Sequence, residues 1–190
     1  AIGKDTLGSN TTGANNVAVG YQALDANTIG VNNVGVGSGA LGANTTGNYN
    51  TGVGNNALLV NTIGDSNTAL GMTTLYANTT GSRNVAVGRL SLLSNTIGAD
   101  NVALGYGTLQ GNTTGINNTA VGTNALNSNT VGRYNIALGM GSLANATTAD
   151  SNVGIGYNSL TANTTGVDNV AVGAYSLDAN TASYNTAVGY

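Results

Sequence analysis

The amino-acid sequence repeats every 17 residues along its whole length, and this period limits what the chain can form. One position of the repeat is leucine in every copy. The leucines are Leu7, Leu24, Leu41, Leu58, Leu75, Leu92, Leu109, Leu126, Leu143, Leu160 and Leu177. Two further positions are an asparagine column that includes Asn27, Asn44 and Asn61, and a glycine column that includes Gly20, Gly37 and Gly54. Because 190/17 is about 11, the chain consists of about eleven copies.

The period and the composition of the repeat predict β structure. Helical repeats need units of about 33 residues or more, and propeller blades need about 40. Each copy also carries two Gly positions and several Asn and Thr, which disfavour helix. Val17-Ala18-Val19 and its copies read as short strands, a second short strand is predicted over Ala23-Leu24, and the Asn-Thr-Thr-Gly segment predicts a turn.

The sequence therefore predicts an all-β, parallel β-solenoid (a β-roll or β-helix), with one coil turn per 17 residues. With turns stacked at about 4.8 Å, eleven turns make a rod of roughly 50 Å. Residues 1–190 form a single continuous array, and we expect it to be an uncapped segment of a longer fibre.

Identical positions stack on one another in such a coil, so the constant columns predict a leucine ladder and an amide ladder. The middle residue of each predicted strand, as at Ala18, Gly35 and Ala103, is always Ala or Gly. Small residues in line indicate a close neighbour, which is either the opposite wall of the same coil or another chain. Since a thin coil buries little apolar surface, we expect this small column to favour association of chains.

The composition argues against several classes of function. The chain has no Cys and no His, so it lacks thiolates, disulfides, imidazole bases and the commonest metal ligands. Its seven acidic residues, all Asp, are scattered among repeat positions. We therefore expect no enzyme, no metal and no cofactor. Four basic residues are too few for a nucleic-acid surface, and no apolar run is long enough to span a membrane.

All charges and all tyrosines fall at five repeat positions, those of Ala14, Asn15, Tyr21, Gln22 and Asp25. We expect these positions to face outward and to hold every contact with a partner. The candidate binding residues are Tyr21, Tyr106 and Tyr157, which share one position of the repeat and suit a glycan ligand. They do not lie on adjacent turns.

The repeat resembles known families. The segments Asn16-Val17-Ala18-Val19-Gly20, 84–88 and 169–173 resemble the repeats of trimeric autotransporter adhesin heads, the YadA-like β-roll. The longer unit at 10–24, N-T-T-G-x-N-N-V-A-V-G-Y-Q-A-L, is similar to repeats of phage tail fibres. The resemblance covers essentially the whole chain. It implies a homotrimer, a location outside the cell or on a virion, and attachment as the role, with a host-surface glycan or protein as partner, and it carries over no catalytic residue.

The predicted function is a fibre shaft or adhesive stalk segment, which acts as a passive spacer or contributes weak repeated contacts. The alternative is a monomeric solenoid that binds ice or another flat surface, because a threonine column runs from Thr11 to Thr181. A functional amyloid is a third reading. The position of Thr12 alternates between Thr and Ile along most of the chain, which indicates either duplication of a 34-residue pair or packing of large against small turns.

Overall fold

The computed structural model describes residues 1–190 and confirms a parallel β-solenoid without helices. Each turn holds one three-residue strand. The strands are β1 (Val17–Val19), β2 (Val34–Val36), β3 (Thr51–Val53), β4 (Thr68–Leu70), β5 (Val85–Val87), β6 (Val102–Leu104), β7 (Thr119–Val121), β8 (Ile136–Leu138), β9 (Val153–Ile155), β10 (Val170–Val172) and β11 (Thr186–Val188). They form a single parallel sheet in chain order, and Val17 pairs with Val34.

Most of the backbone pairing lies outside the strands. Of 126 backbone–backbone hydrogen bonds, only 20 lie within the strands, so the turns connect one coil turn to the next as firmly as the sheet does. At one corner the Thr28 carbonyl accepts hydrogen bonds from the N–H groups of Thr11 (2.9 Å) and Thr12 (3.2 Å). Each strand is followed by the glycine that recurs in every repeat. At Gly20 the residue must be glycine, because φ is 132° and a Cβ would lie 2.6 Å from the Gly37 carbonyl oxygen.

The second strand that we predicted over Ala23-Leu24 is absent. This segment forms turns, and Leu24 has φ 52°, which is incompatible with an extended chain. The prediction was wrong because each 17-residue turn of the coil contains only one short strand. At the leucine the backbone changes direction and the side chain is buried in the core. The Leu24 N–H still bonds to the Ala40 carbonyl of the next turn, at 3.0 Å.

The core is the leucine ladder packed against the small column. The nine leucines from Leu24 to Leu160 are fully buried, and so are Ala69, Ala86 and Ala103 in the strand centres. A Cβ at Gly35 would lie 3.3 Å from Leu24 Cγ. The close neighbour of the small column is thus the opposite wall of the same coil, and the expectation that this column associates chains was wrong.

Two asparagine ladders line the interior beside the leucines. In the predicted one, Asn27 Nδ2 donates to Asn10 Oδ1 of the preceding turn (2.8 Å) and to the Gly30 carbonyl (3.1 Å). The second ladder lies just before the strands and runs from Asn16 to Asn185. There the Asn33 N–H donates to Asn16 Oδ1 at 2.9 Å. The side-chain amides therefore serve, in place of water, as hydrogen-bond partners of buried backbone groups at two corners of the turn.

The first ladder is interrupted where Ala146 stands in the asparagine column. Asn129 Oδ1, on the turn before Ala146, is buried without a hydrogen-bond partner, because position 146 supplies no amide to donate to it. Asn163 Oδ1 is also unpaired, because Asn180 of the short last turn donates to the Ala182 carbonyl instead, at 2.9 Å.

The position three residues on from the asparagine is glycine in most turns but alanine at Ala149. A Cβ at the equivalent Gly47 would lie 2.5 Å from Asn44 Oδ1 and 2.6 Å from the Gly64 carbonyl oxygen, so in a turn of 17 residues alanine crowds both the asparagine side chain and the next turn. Asparagine and alanine occur together only in the short last turn, at Asn180 and Ala182.

Candidate functional site

The outer face of the sheet is an uncharged surface that runs along all eleven turns with strands. Because side chains alternate along a strand, the small central residue points inward and its two neighbours point outward. We call these outward residues, the first and third of each strand from β1 to β11, the sheet face. Eleven strands with two such residues each give 22 side chains. They are Val, Ile or Leu except for Thr51, Thr68, Thr119 and Thr186, and none is charged.

Eight of these 22 side chains are exposed and the other fourteen are partly buried. Val17 is 49% exposed, Leu70 48%, Ile136 39% and Leu104 36%. The two columns lie about 7 Å apart and run roughly 50 Å along the rod, so the strip that they bound covers on the order of 350 Å². The sequence analysis missed this face, because it placed every outward contact at the five charged and aromatic positions. The signal that identifies it is the small residue between two large ones in each strand.

Every tyrosine except Tyr76 lies within three residues of a strand in the chain. Tyr21, Tyr106 and Tyr157, the predicted binding residues, are exposed at 49%, 47% and 40% and follow β1, β6 and β9. Since several turns separate them, they do not form a continuous strip. Only Tyr106 has a charged neighbour, the Arg89 guanidinium, 6.0 Å from its ring centroid.

The structure instead brings together Tyr157, Tyr175 and Tyr190, which follow β9, β10 and β11. The rings of Tyr157 and Tyr175 have centroids 5.1 Å apart at 86°, and those of Tyr175 and Tyr190 are 5.7 Å apart at 72°. Edge-to-face packing of this kind is the preferred geometry of aromatic pairs. Tyr175 and Tyr190 were not among the predicted binding residues.

Two ion pairs join neighbouring turns along the rod. Arg83 donates to both oxygens of Asp100 on the next turn, at 2.6 and 2.8 Å. These hydrogen bonds hold the pKa of the Asp100 carboxyl below its ordinary value. Arg133 and Asp150 form a second pair at 3.1 Å. Such exposed pairs add little stability, and they leave no concentrated charge for an ionic ligand.

The threonine column that raised the ice-binding alternative is used within the coil. Thr28 Oγ1 donates to the Thr45 carbonyl at 3.0 Å, and its copies repeat this bond from Thr11 to Thr147. The next column, which alternates Thr and Ile, is exposed: Ile97 is 55% accessible between two smaller threonines. Packing between neighbouring turns therefore does not account for that alternation.

Two open grooves interrupt the surface. The larger, of about 420 Å³, is lined by Thr114, Ile116, Val131, Arg133, Thr148 and Asp150. The smaller, of about 350 Å³, lies between Gln22 and Asp25 at one end and Leu59 and Val60 at the other. No three acidic side chains meet at a place that could hold a metal ion. The chain contains no helix suited to crossing a membrane.

Comparison with known proteins gives no relative. No protein family, curated protein or solved structure matches this chain. Its function is therefore inferred from its own surface.

Proposed function

We propose that the chain is a shaft or stalk segment of a homotrimeric fibre that acts in attachment at a cell or virion surface. The observation that carries the proposal is the sheet face, an uncharged aliphatic strip along the whole rod. A continuous apolar patch of a few hundred Å² is the size of the largest patch on a typical soluble monomer, and such patches are often functional. Burial of this face against other copies removes it from water at about 25 cal/mol per Å².

Identical rods are suitable partners because the face repeats at every turn. Aliphatic columns on parallel copies meet along their full length, and three coils around a common axis enclose all three faces. The number three rests on the resemblance of the Asn-Val-Ala-Val-Gly repeat to adhesin heads, whereas the association itself rests on the exposed Val, Ile and Leu. The Ala and Gly column has no part in it, because it lies inside the coil.

The role of such a segment is mechanical. A rod of roughly 50 Å, held by backbone bonds between all its turns, sets a distance between a surface and a more distant site. The outward columns add weak contacts that repeat along the fibre, and repetition raises avidity by orders of magnitude. The chain offers no paired base and nucleophile for catalysis.

The experiment is the solution mass by light scattering after size exclusion. We expect a mass near three times 18.6 kDa. The double variant Leu70→Lys/Leu104→Lys places two charges on the sheet face. Both side chains are already exposed in a single chain, so the variant should fold and should be monomeric. The matched control Ile63→Lys/Ile97→Lys changes equally exposed residues outside the face and should keep the mass. A monomeric unmodified chain would overturn the proposal.

A second candidate function is binding of ice or another flat surface by a monomer. The threonine column alone offers one line of hydroxyls, but the sheet face has two parallel columns with Thr-x-Val or Thr-x-Leu in four strands. Thermal hysteresis above an albumin control, from a monomeric sample, supports this function. Its absence in a trimeric sample supports the fibre.

A further inference from the structure

One exposed column of the coil alternates large and small residues from turn to turn. Its large members, each about half exposed, are Ile29 (52%), Ile63 (53%), Ile97 (55%) and Val131 (45%). Threonines occupy the turns between them, from Thr12 to Thr148. We call this column, from residue 12 to residue 148, the corner ridge. It lies outside the sheet face and shares no residue with it.

Duplication of a 34-residue unit does not explain the alternation. Such a duplication would give every variable column a period of two turns, but the other outward columns have none. The column of Ala14, for example, reads Ala, Val, Asn, Asp, Ser, Ala, Ile and Arg up to Arg133. A period lost from those columns by drift would also be lost from the equally exposed ridge. The alternation therefore points to a contact outside the coil.

A ridge of this shape fits a second copy of itself. Turns stack at about 4.8 Å, so successive large side chains lie about 9.6 Å apart along the rod. An isoleucine of another copy that enters this gap is offset by about 4.8 Å from the large side chain on either side, close to the contact distance of aliphatic atoms. The backbone fixes the spacing of the gaps, because the Thr28 carbonyl accepts the N–H groups of both Thr11 and Thr12.

Charged residues lie beside the ridge and alternate in sign. The groove at Val131 is also lined by Arg133 and Asp150, so the column two residues further on borders the ridge. Asp65, Arg83 and Asp100 follow the ridge by two or three residues on three consecutive turns.

One of these charges has no partner in its own chain. Arg83 pairs with Asp100, whereas Asp65 forms no ion pair. Asp65 is therefore available to a cation of another molecule.

These charges favour an antiparallel copy. A two-fold axis perpendicular to the rods brings equal columns face to face, whereas an axis along the rods sets the charged side of one ridge against the columns two and three residues before the other, which carry no charge. With a perpendicular axis between the turns of Ile63 and Thr80, Asp65 of each copy faces Arg83 of the other, and no like charges are opposed.

The same axis also satisfies the shape of the ridge. Every large side chain then faces a threonine of the other copy: Ile63 faces Thr80, Ile97 faces Thr46, Ile29 faces Thr114 and Val131 faces Thr12. Charge and shape thus select one register.

We infer that the corner ridge is a docking surface for a second copy of this chain, which packs antiparallel about that axis with its isoleucines in the threonine gaps. This contact goes beyond the attachment role, because it joins separate rods or fibres side by side. A ridge one residue wide buries less than the about 1,200–2,000 Å² of a stable interface, so the contact is weak and is lost at the dilution of size exclusion. Repetition along bundled fibres strengthens it.

The test is sedimentation equilibrium of the unmodified chain from about 10 μM to about 1 mM. We expect the average mass to rise above its dilute value, with a dissociation constant of about 0.1–1 mM. The mass in dilute solution tests the fibre, and its rise with concentration tests the ridge, so either proposal can fail alone. A constant mass up to the highest concentration would overturn the inference.

Two complementary variants test the interlocking. Thr46→Ile/Thr80→Ile fills gaps and Ile63→Thr/Ile97→Thr removes large side chains, and both use residues that the column already contains. Each variant alone should associate at least tenfold more weakly than the unmodified chain. An equimolar mixture should restore the association, because each added isoleucine then faces an introduced threonine. Stronger association of the filled variant alone would show unspecific apolar contact, and failure of the mixture would refute the register.

A charge reversal tests the direction of packing. Asp65→Lys should weaken the association at least fivefold, because it opposes Arg83 of the other copy at two symmetric places. The control Asp25→Lys makes the same change in net charge on a column outside the ridge and should alter the association less than twofold. Equal effects of the two variants would contradict the antiparallel arrangement.

Discussion

At the scale of single residues, the coil depends on left-handed backbone conformations at three positions of each turn. In the first complete turn these are Asn15, Gln22 and Leu24, with φ 59°, 52° and 52°. The first column holds three Asn and two Asp, and the second holds three Asn and three Gly, all of which enter this region at low cost. The third is always leucine, because its side chain fills the core, and burial of a leucine is worth about 1.5–3 kcal/mol against a cost of about 1–2 kcal/mol for the conformation.

Thr73 is a β-branched residue with φ 55° in the same column as Asn56 and Asn124. We expect Thr73→Asn to stabilise the fold by about 0.5–1 kcal/mol, because asparagine tolerates the left-handed region. The measurement is the midpoint of urea unfolding. Thr123→Asn, at an exposed neighbouring position, serves as the control and should leave the midpoint unchanged. A lower midpoint for Thr73→Asn would contradict the explanation.

The positive φ of the leucines explains why the sequence did not predict the turn at Ala23-Leu24. Leucine carries no signal for the left-handed region, and Ala-Leu between Gly and Asn resembles a short strand. The ladders, by contrast, were predictable, because a residue that recurs every 17 positions must stack on itself in any solenoid. The contacts of Tyr175 with Tyr157 and Tyr190 were not predictable in this way, since Tyr175 and Tyr157 belong to different columns.

At the scale of the structural element, the ladder is the unit that carries the buried amides. Where it is interrupted at Ala146, the same turn has a second change at Ala149. Ala149 carries a methyl group where most turns have glycine, and that methyl occupies the place of the amide oxygen of an asparagine three residues earlier. Ala146 and Ala149 are thus a coupled pair.

We expect the double variant Ala146→Asn/Ala149→Gly to stabilise the fold by about 1–3 kcal/mol, because Asn129 Oδ1 regains a donor and Asn163 Nδ2 a second acceptor. Ala146→Asn alone should bring no gain, since its amide oxygen meets the Ala149 methyl. The measurement is a double-mutant cycle of urea midpoints, in which the two changes should deviate from additivity. Additive effects would show that the pair is independent.

At the scale of the whole molecule, the coil is a one-dimensional stack in which each turn contacts its two neighbours. Its register is nonetheless adaptable at one corner. The last turn has one residue fewer, so Val170 pairs with Thr186 at an offset of 16, and the strands still align. The residue omitted belongs to the exposed column of Thr12 and Ile29, which lies outside both ladders.

This stacking predicts that a complete unit can be removed. Deletion of residues 78–94, which spans one repeat from asparagine to asparagine, should leave the circular dichroism per residue unchanged and lower the free energy of unfolding by one interface between turns. Deletion of only residues 78–86 should lower it further, because it brings the turns on either side of the deletion together out of register, so that leucine and asparagine columns no longer stack on themselves at that junction. Equal behaviour of the two deletions would contradict the stacked arrangement.

The first asparagine ladder also gives the rod a direction. From Asn27 to Asn129 every side-chain amide donates to the oxygen of the preceding turn, and none donates the other way. The small dipoles of the side-chain amides therefore all point the same way along the rod. Each uninterrupted block of the ladder presents N–H groups at one end and oxygens at the other. Two rods joined end to end in the same direction would continue this alignment, because N–H groups would meet oxygens. Rods joined in opposite directions would bring two N–H ends or two oxygen ends together.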